Sequence, residues 1–334
     1  MYSILISILI SFFTVLIVTP KLIKFLTAAG VVGLDLHKKN KPKLPSSGGI
    51  CVAIGLIAGI FTYITIQTFV YGNKIEALNL FAVISSILIV SWIGLFDDIN
   101  IRSKIMKTKE GMDIRVGLPQ SKWILTLPAA IPLIVIASGD TTMSIPFFGN
   151  INFGLIYPFV LVPLGVVGAS NVVNLLGGFN GIEAGMGCVY MLSLGLYALL
   201  QNNPAGVIFL SSFGALLAFL SYNKYPAKIL PGDSLTYLLG STVAAGVIVG
   251  NMEKAGVIVL TPFIIEFFLK ARSKFKASCL GKLRKDGRLN PPYGKKIYSI
   301  THILLQFHPT EKQVTITMIL IAGIFALIPF LGIV

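Results

Sequence analysis

The chain has 334 residues, of which 55% are hydrophobic and only 12% charged, and its 27 Lys and Arg against 13 Asp and Glu give a formal net charge of +14. Soluble domains carry about 25% charged residues, so half that figure, with apolar runs of roughly 17 to 25 residues recurring along the chain, makes lipid the main solvent. The basic excess does not indicate nucleic acid, because no basic stretch is interleaved with the aromatics that single-strand binders stack on bases; it fits Lys and Arg retaining loops on the cytoplasmic side of a membrane.

Apolar runs predict helices near 2–26, 48–71, 77–96, 122–139, 153–170, 182–201, 204–222, 233–251, 255–270 and 314–333. The first lacks the basic start and small-residue cleavage site of a signal peptide and is read as a membrane helix. With an even number of spans both termini share one side, expected to be external. Loops 27–47, 97–122, 171–181, 223–232 and 271–313 then face the cytoplasm, and once Lys21, Lys24 and Lys270 at the adjoining helix ends are counted with them, only Lys74 and Lys254 of the basic residues fall outside. The expected fold is an all-α integral membrane protein of about ten transmembrane helices. It forms a single polytopic domain over 1–334, with 271–313 a cytoplasmic loop region rich in Gly and Pro. Three cysteines, Cys51, Cys188 and Cys279, share no metal-like spacing and form no disulfide framework.

Three clusters carry candidate chemistry. Asp97 and Asp98 end the third apolar run, where a helix C-terminus disfavours anions. Adjacent helical positions diverge by about 100°, so one can face a ligand while the other makes structural hydrogen bonds. Asn171 and Asn174 share a helical face at the membrane border. Gly177, Gly178 and Gly181 follow, flanking Asn180 and Glu183, and let backbone approach a base or a magnesium-bound phosphate. Asp233 starts a helix after Pro231-Gly232, as an N-cap or as a hard-cation ligand. Lys122 could grip a phosphate or simply snorkel. His302 and His308 point to opposite faces and share no metal. Glu266, an acid inside the ninth run, is a functional candidate by position.

Together these segments resemble the polyprenyl-phosphate N-acetylhexosamine-1-phosphate transferase family, and the likeness extends to Gly33-Leu34-Asp35-Leu36, Pro45-Ser46-Ser47-Gly48-Gly49 and His308-Pro309-Thr310-Glu311. The eukaryotic-like dolichyl branch, in an archaeal form, is the nearest pattern. Bacterial members place Asp in the segment that reads Leu176-Gly177-Gly178 here and again where this chain has Asn180. The resemblance implies Mg2+, with Mn2+ able to substitute, held by Asn174 and Asp233. It implies a phosphate-binding role for Lys122, an acidic pair Asp97 and Asp98 near the lipid phosphate, and substrate contacts from Asn171, Gly177, Gly178, Asn180 and Glu183. The family's late basic motif has no clean counterpart; Arg272 and Lys276 are the favoured substitutes, ahead of Lys282, Arg284 and Lys285.

The implied reaction transfers GlcNAc-1-phosphate from UDP-GlcNAc to a polyprenyl or dolichyl phosphate and releases UMP, the first step of lipid-linked glycan assembly. Expected partners are UDP-GlcNAc, the lipid phosphate and the bilayer, with a homodimer as an option, and the expected location is the plasma membrane with a cytoplasmic active site. UDP-MurNAc-pentapeptide or another UDP-N-acetylhexosamine is the alternative donor. A transporter coupled to protons through Glu266 and Asp97 is the alternative of another class; it would call for broken helices at the bilayer midplane in paired halves.

Overall fold

In the computed structural model, residues 2–73, 77–100, 105–107, 113–115, 120–145 and 149–332 are described, the side chains of 100, 105–107, 113–115, 120–122, 144 and 145 excepted. Among the described residues the architecture is mostly helical, and the few strands pair only as short two-stranded hairpins. Helix α1 covers Tyr2–Ala28, α2 Gly49–Phe69 and α3 Ala77–Asn100. A 3-10 stretch, Gln120–Ala130, runs into α4, Ile131–Val135, and a π turn, Tyr157–Leu161, runs into α5, Val162–Val173. Then come α6 Ile182–Leu200, α7 Gly206–Asn223, α8 Gly232–Val249, α9 Glu253–Val259 and α10 Thr261–Ala271. Short α11, Ile300–Leu305, precedes α12, Glu311–Leu327.

Seven described helices are long and apolar enough to cross a bilayer: α1, α2, α3, α6, α7, α8 and α12. The remaining predicted spans are present as interrupted segments, each with a proline at or near the break. Pro128 lies inside the 3-10 stretch and Pro132 opens α4; Pro158 lies in the π turn, and Pro262 opens α10 where the ninth run divides. Proline supplies no N–H and clashes with the carbonyl four residues back, so a run read as one helix from its apolarity alone is divided. The 271–313 region has more order than a loop. It carries α11 and a hairpin pairing Lys282–Leu283 with Leu289–Asn290.

Helix α8 is the axis of the bundle. It packs against α3, α5 and α2, while α7 joins α1, α2 and α6, and α12 closes on α6. Of the most apolar stretch of α8, 83% is buried, against 28% for α1. Glycines bring these backbones close. A Cβ on Gly94 would lie 2.5 Å from Ser234 Cα of α8, and one on Gly240 would collide with the Ala169 carbonyl of α5. On the outside, α1 presents Leu5, Leu9 and Phe13, and α12 presents Ile316, Leu320 and Ile324, rows at four-residue spacing left for lipid.

The two ends of the bundle differ. Ser3 of α1 meets Gln67 of α2 at one end, where the final 3-10 turn Ile328–Leu331 also packs on α9. The first and last described residues therefore lie at that end. At the opposite end α3, α5, α7 and α10 finish and α2, α6, α8 and α12 begin, and the Asp, Asn and Gly clusters converge there.

Candidate active site

Four segments far apart in sequence enclose a cleft of about 350 Å3 at that end. The C-terminus of α5 and the Gly-rich turn supply Asn174, Gly177, Gly178, Asn180 and Glu183. The start of α8 supplies Asp233 and Thr236; the turn after α1 supplies Asp35; and α10 with the irregular segment after it supplies Lys270, Lys276 and Cys279.

The turn between α5 and α6 is shaped by glycine. Gly178 N–H donates to Glu183 Oε1 at 2.6 Å, and a Cβ on Gly177 would collide with that same carboxylate. Gly178 and Gly181 have φ of 89° and 82°, backbone that a side chain resists. With the turn closed, α6 begins at the cleft with its N–H groups and positive dipole end, favourable for an anion.

The start of α8 is built by another helix. Asp98 of α3 is buried; its Oδ1 accepts Asp233 N–H at 2.8 Å, and its Oδ2 accepts Ser234 N–H at 3.2 Å and the Ser47 hydroxyl at 2.6 Å. Gly232 has φ of 71°, and any Cβ there would run into the Asp98 carboxylate. The acidic pair therefore divides as two helical neighbours must. Asp98 caps α8 and sets Asp233, while Asp97 is fully buried beside it, and neither lines the cleft.

Asn174 and Asp233 meet: Asn174 Nδ2 donates to Asp233 Oδ2 at 3.4 Å, and the Thr236 hydroxyl donates to Asn174 Oδ1 at 2.7 Å. Asp233 offers carboxylate oxygens, and Asn174 and Thr236 carry an amide and a hydroxyl oxygen that become available once these hydrogen bonds are exchanged, the kind of donors a hard divalent cation takes. Among the described residues no three His, Cys, Asp or Glu gather as a metal cage. Mg2+ is a cation that binds through one or two carboxylates together with substrate phosphates and water, and Asp233 is the carboxylate at this point of the cleft.

The other residues singled out from the sequence separate clearly. Lys276 lines the cleft, whereas Arg272 lies outside it and donates to Ile297 O at 3.3 Å. Asn171 lies one turn back, donating to Thr126 Oγ1 at 3.1 Å and Val167 O at 2.8 Å. The side chain of Lys122 lies outside the described residues. Glu266 holds the late segment: its Oε2 accepts Ser299 Oγ at 3.0 Å and Ile300 N–H at 2.8 Å at the start of α11, and Lys270 sits 3.8 Å away. An acid so engaged is a fastening.

That fastening continues through buried groups. Thr301 Oγ1 donates to Cys279 O at 2.6 Å, Cys279 Sγ to Gly177 O at 3.0 Å, and Gly281 N–H to His37 Nε2 at 3.3 Å. His302 lies between Ser278 O and Tyr298 N–H, and burial pushes its pKa down to about 4. The cleft wall from Phe275 to Leu280 is thus held against both the bundle and the Gly-rich turn.

Sequence reasoning misses Asp35, Thr236, Lys270, Lys38 and Glu311 as site residues. Lys38 Nζ lies 3.3 Å from Asp35 Oδ2, bonds Glu311 Oε2 and sits 4.0 Å over the Tyr225 ring. In the sequence, the segments of Asp35 and Glu311 carry only a family likeness and no sign of a shared place.

A second cavity of about 360 Å3 lies on the same helices, further from this end. It is an apolar groove lined by Leu164, Gly165, Gly168, Ala169 and Val172 of α5, Val243 and Val247 of α8, and Val257 and Ile264 of α9 and α10. Its far end is reached by Tyr157, whose hydroxyl bonds Glu253.

Residues 80–251 match the model of glycosyltransferase family 4, the stretch that holds Asp97, Asp98, Asn174, Asn180 and Asp233. The chain belongs to that family. Members similar to it include a protein of Saccharolobus solfataricus, provisionally named a UDP-N-acetylglucosamine–dolichyl-phosphate N-acetylglucosaminephosphotransferase. It is 38% identical over 98% of this chain and 95% of its own length. A Sulfolobus acidocaldarius protein with the same provisional name is 33% identical over 91% of this chain and 88% of its own. The Dictyostelium discoideum protein that carries the name without qualification is 26% identical over 93% of this chain and 83% of its own.

Proposed function

We propose that this multi-pass membrane protein transfers GlcNAc-1-phosphate from UDP-GlcNAc to a polyprenyl or dolichyl phosphate, giving GlcNAc-diphosphate-lipid and UMP. One observation carries the reading: a polar cleft suited to phosphates and an apolar groove suited to a hydrocarbon chain lie one beyond the other on α5, α8 and α10. Along α10, Lys270 lines the first and Ile264 the second; six residues at 1.5 Å each separate them by about 9 Å. An acceptor with a charged head and an apolar tail fits that succession, and the names of the three relatives support the same donor and acceptor.

The chemistry needs positioning more than bond-making by the protein. A lipid-phosphate oxygen, already ionised at neutral pH, attacks the β-phosphorus of the donor. The new P–O–P bond forms as the bond to UMP breaks, and UMP leaves with the electron pair. Lys270 and Lys276 supply positive charge at the cleft, and the start of α6 offers N–H groups to the diphosphate. Asn174, Asp233 and Thr236 would hold Mg2+, which when bound offsets negative charge on the diphosphate. Asp98 fixes Asp233 by accepting its N–H. Holding both reactants in line accounts for most of the rate.

The cleft is assigned to the cytoplasmic face of the plasma membrane. The basic loops gather at its end of the bundle, which the positive-inside preference retains, and an anionic nucleotide sugar gains from that field. Purified protein incubated with polyprenyl phosphate and radiolabelled UDP-GlcNAc, with and without Mg2+, is expected to release UMP and label the lipid in equal amounts only when the metal is present. UMP release without labelled lipid would refute the transfer, and undiminished activity in chelator would refute the metal.

A further inference from the structure

Among the described residues two lysines line the cleft, and they differ in burial. Lys276 is exposed, whereas Lys270, in the last turn of α10, is buried. An ammonium taken out of water needs acceptors for its three N–H donors. Among the described residues no hydrogen bond holds Lys270 Nζ; its ion-pair partner is Glu266 Oε1, one turn back on the same helix, at 3.8 Å. That separation is a charge contact and too long for a hydrogen bond.

Glu266, fully buried, divides its two oxygens. Oε2 accepts the Ser299 hydroxyl at 3.0 Å and Ile300 N–H at 2.8 Å, which ties it to the start of α11. Oε1 accepts no hydrogen bond and has Lys270 in front of it. A glutamate one turn N-terminal of a lysine is the favourable order on a helix, and the lysine meets the negative end of the helix dipole. Each buried charge is therefore balanced by the other, as a buried ion must be. The N–H groups of Lys270 stay unspent.

We infer that Glu266 is a positioning residue for the transfer, holding Lys270 by charge alone so that its N–H donors are left for a phosphate oxygen of a substrate. Lys270 lies towards the groove, with Ile264 about 9 Å further along α10. The phosphate is thus that of the nucleotide sugar or that of the lipid, and the chemistry of recognition is the same for both. The pair also supplies, from inside a helix, a buried cation that the late loop does not offer, since Arg272 is turned away to Ile297 O. The inference rests on the cleft being the site of transfer.

The test is a double-mutant cycle on the detergent-purified full-length chain: wild type, E266Q, K270M and E266Q/K270M, with UDP-GlcNAc and polyprenyl phosphate varied in turn in the labelled-lipid assay. K270M should lower kcat/KM about thirtyfold, the scale of one hydrogen bond to a charged group. E266Q keeps the shape and an acceptor for α11, and should lower it about tenfold. In the double variant the loss should stay within about twofold of that in K270M, because Glu266 then has nothing to act through. A rise in KM for UDP-GlcNAc alone would assign the contact to the donor diphosphate, and a rise for polyprenyl phosphate alone to the lipid head; either supports the inference. Losses that multiply, to about 300-fold in the double variant, would reduce Glu266 to a fastening of α11 and overturn it. K270M within about twofold of wild type would also overturn it, and both results leave the transferase reading standing. If K270M does not fold, K270Q, whose amide can donate to Glu266, takes its place in the cycle. A wild type that labelled no lipid would overturn the transferase reading, and this inference with it.

Discussion

The two cavities have nearly equal volumes, about 350 and 360 Å3, and share three helices, yet they are made in different ways. The cleft is assembled from loops and helix ends whose polar atoms pair with one another across long stretches of chain. Asp98 reaches 135 residues along the sequence to Asp233, and Lys38 reaches 273 to Glu311. The groove is made from mid-helix side chains and from the places where side chains are missing, Gly165, Gly168 and Gly256. A paired polar site fails when one partner is lost, because the other is stranded. An apolar trough fails when it is filled.

That contrast can be tested at several points. Removing the cleft's carboxylate with Asp233→Ala should have the largest effect, a loss of transfer of about 10^3-fold, the scale for deleting an electrostatic catalytic group. The protein should remain folded, because Asp98 bonds the backbone at 233. A variant retaining a tenth of wild-type turnover in the labelled-lipid assay would remove Asp233 from the reaction. Gly232→Ala comes next. Its Cβ meets the Asp98 carboxylate on a backbone of positive φ, so it should lower activity about 100-fold and cost about 1 to 3 kcal/mol in stability, read together by turnover and thermal unfolding.

Filling the groove should act on one substrate only. A Cβ at Gly168 meets nothing within 4 Å, so Gly168→Leu puts its side chain into the trough without strain. KM for polyprenyl phosphate should rise about tenfold while KM for UDP-GlcNAc stays within about twofold, given the roughly 1 to 3 kcal/mol a misfitting apolar group costs. Equal changes in both would merge the two cavities into one functional unit. Lys276→Ala should raise KM for UDP-GlcNAc about fivefold, as lost phosphate contacts do. Arg272→Ala, outside the cleft, should change it less than twofold.

The smallest effect concerns pH. Burial holds His37 and His302 at about 4, below the ordinary value of 6.5, so folding favours their neutral forms. Between these values the unfolded chain binds more protons; the contribution is complete above about pH 6.5 and is lost as pH falls toward 4. The thermal midpoint should drop by several degrees from pH 7 to 4.5, and His302→Gln should flatten that slope. A midpoint independent of pH would release the late segment from its histidine anchor.

Most of the helical layout was legible because apolar length reports a span whatever the fold. Breaks at Pro128 and Pro262 were less so, since hydrophobicity is insensitive to the lost N–H. Asn174, Asp233 and the glycine turn were readable as candidates, although an amide and a carboxylate at helix ends also serve as turns and caps, and the fold brings them to one cleft. Asp35, Lys38 and Glu311 were not readable as a cluster, because nothing local in three loop residues signals that they converge. Arg272 and Lys276 could not be told apart from residue type, and only the course of the chain after α10, where Lys274 and Phe275 take positive φ, settles which one turns inward.

The Tyr157–Glu253 contact at the far end of the groove has a consequence for the acceptor. A trough that stops at an acid cannot measure a hydrocarbon longer than itself; it is a ruler of fixed length laid against only the first units behind the phosphate. If the groove holds the acceptor as proposed, the chain leaves it sideways into the bilayer beyond that mark, and lipids that share those units but differ in their tails bind alike.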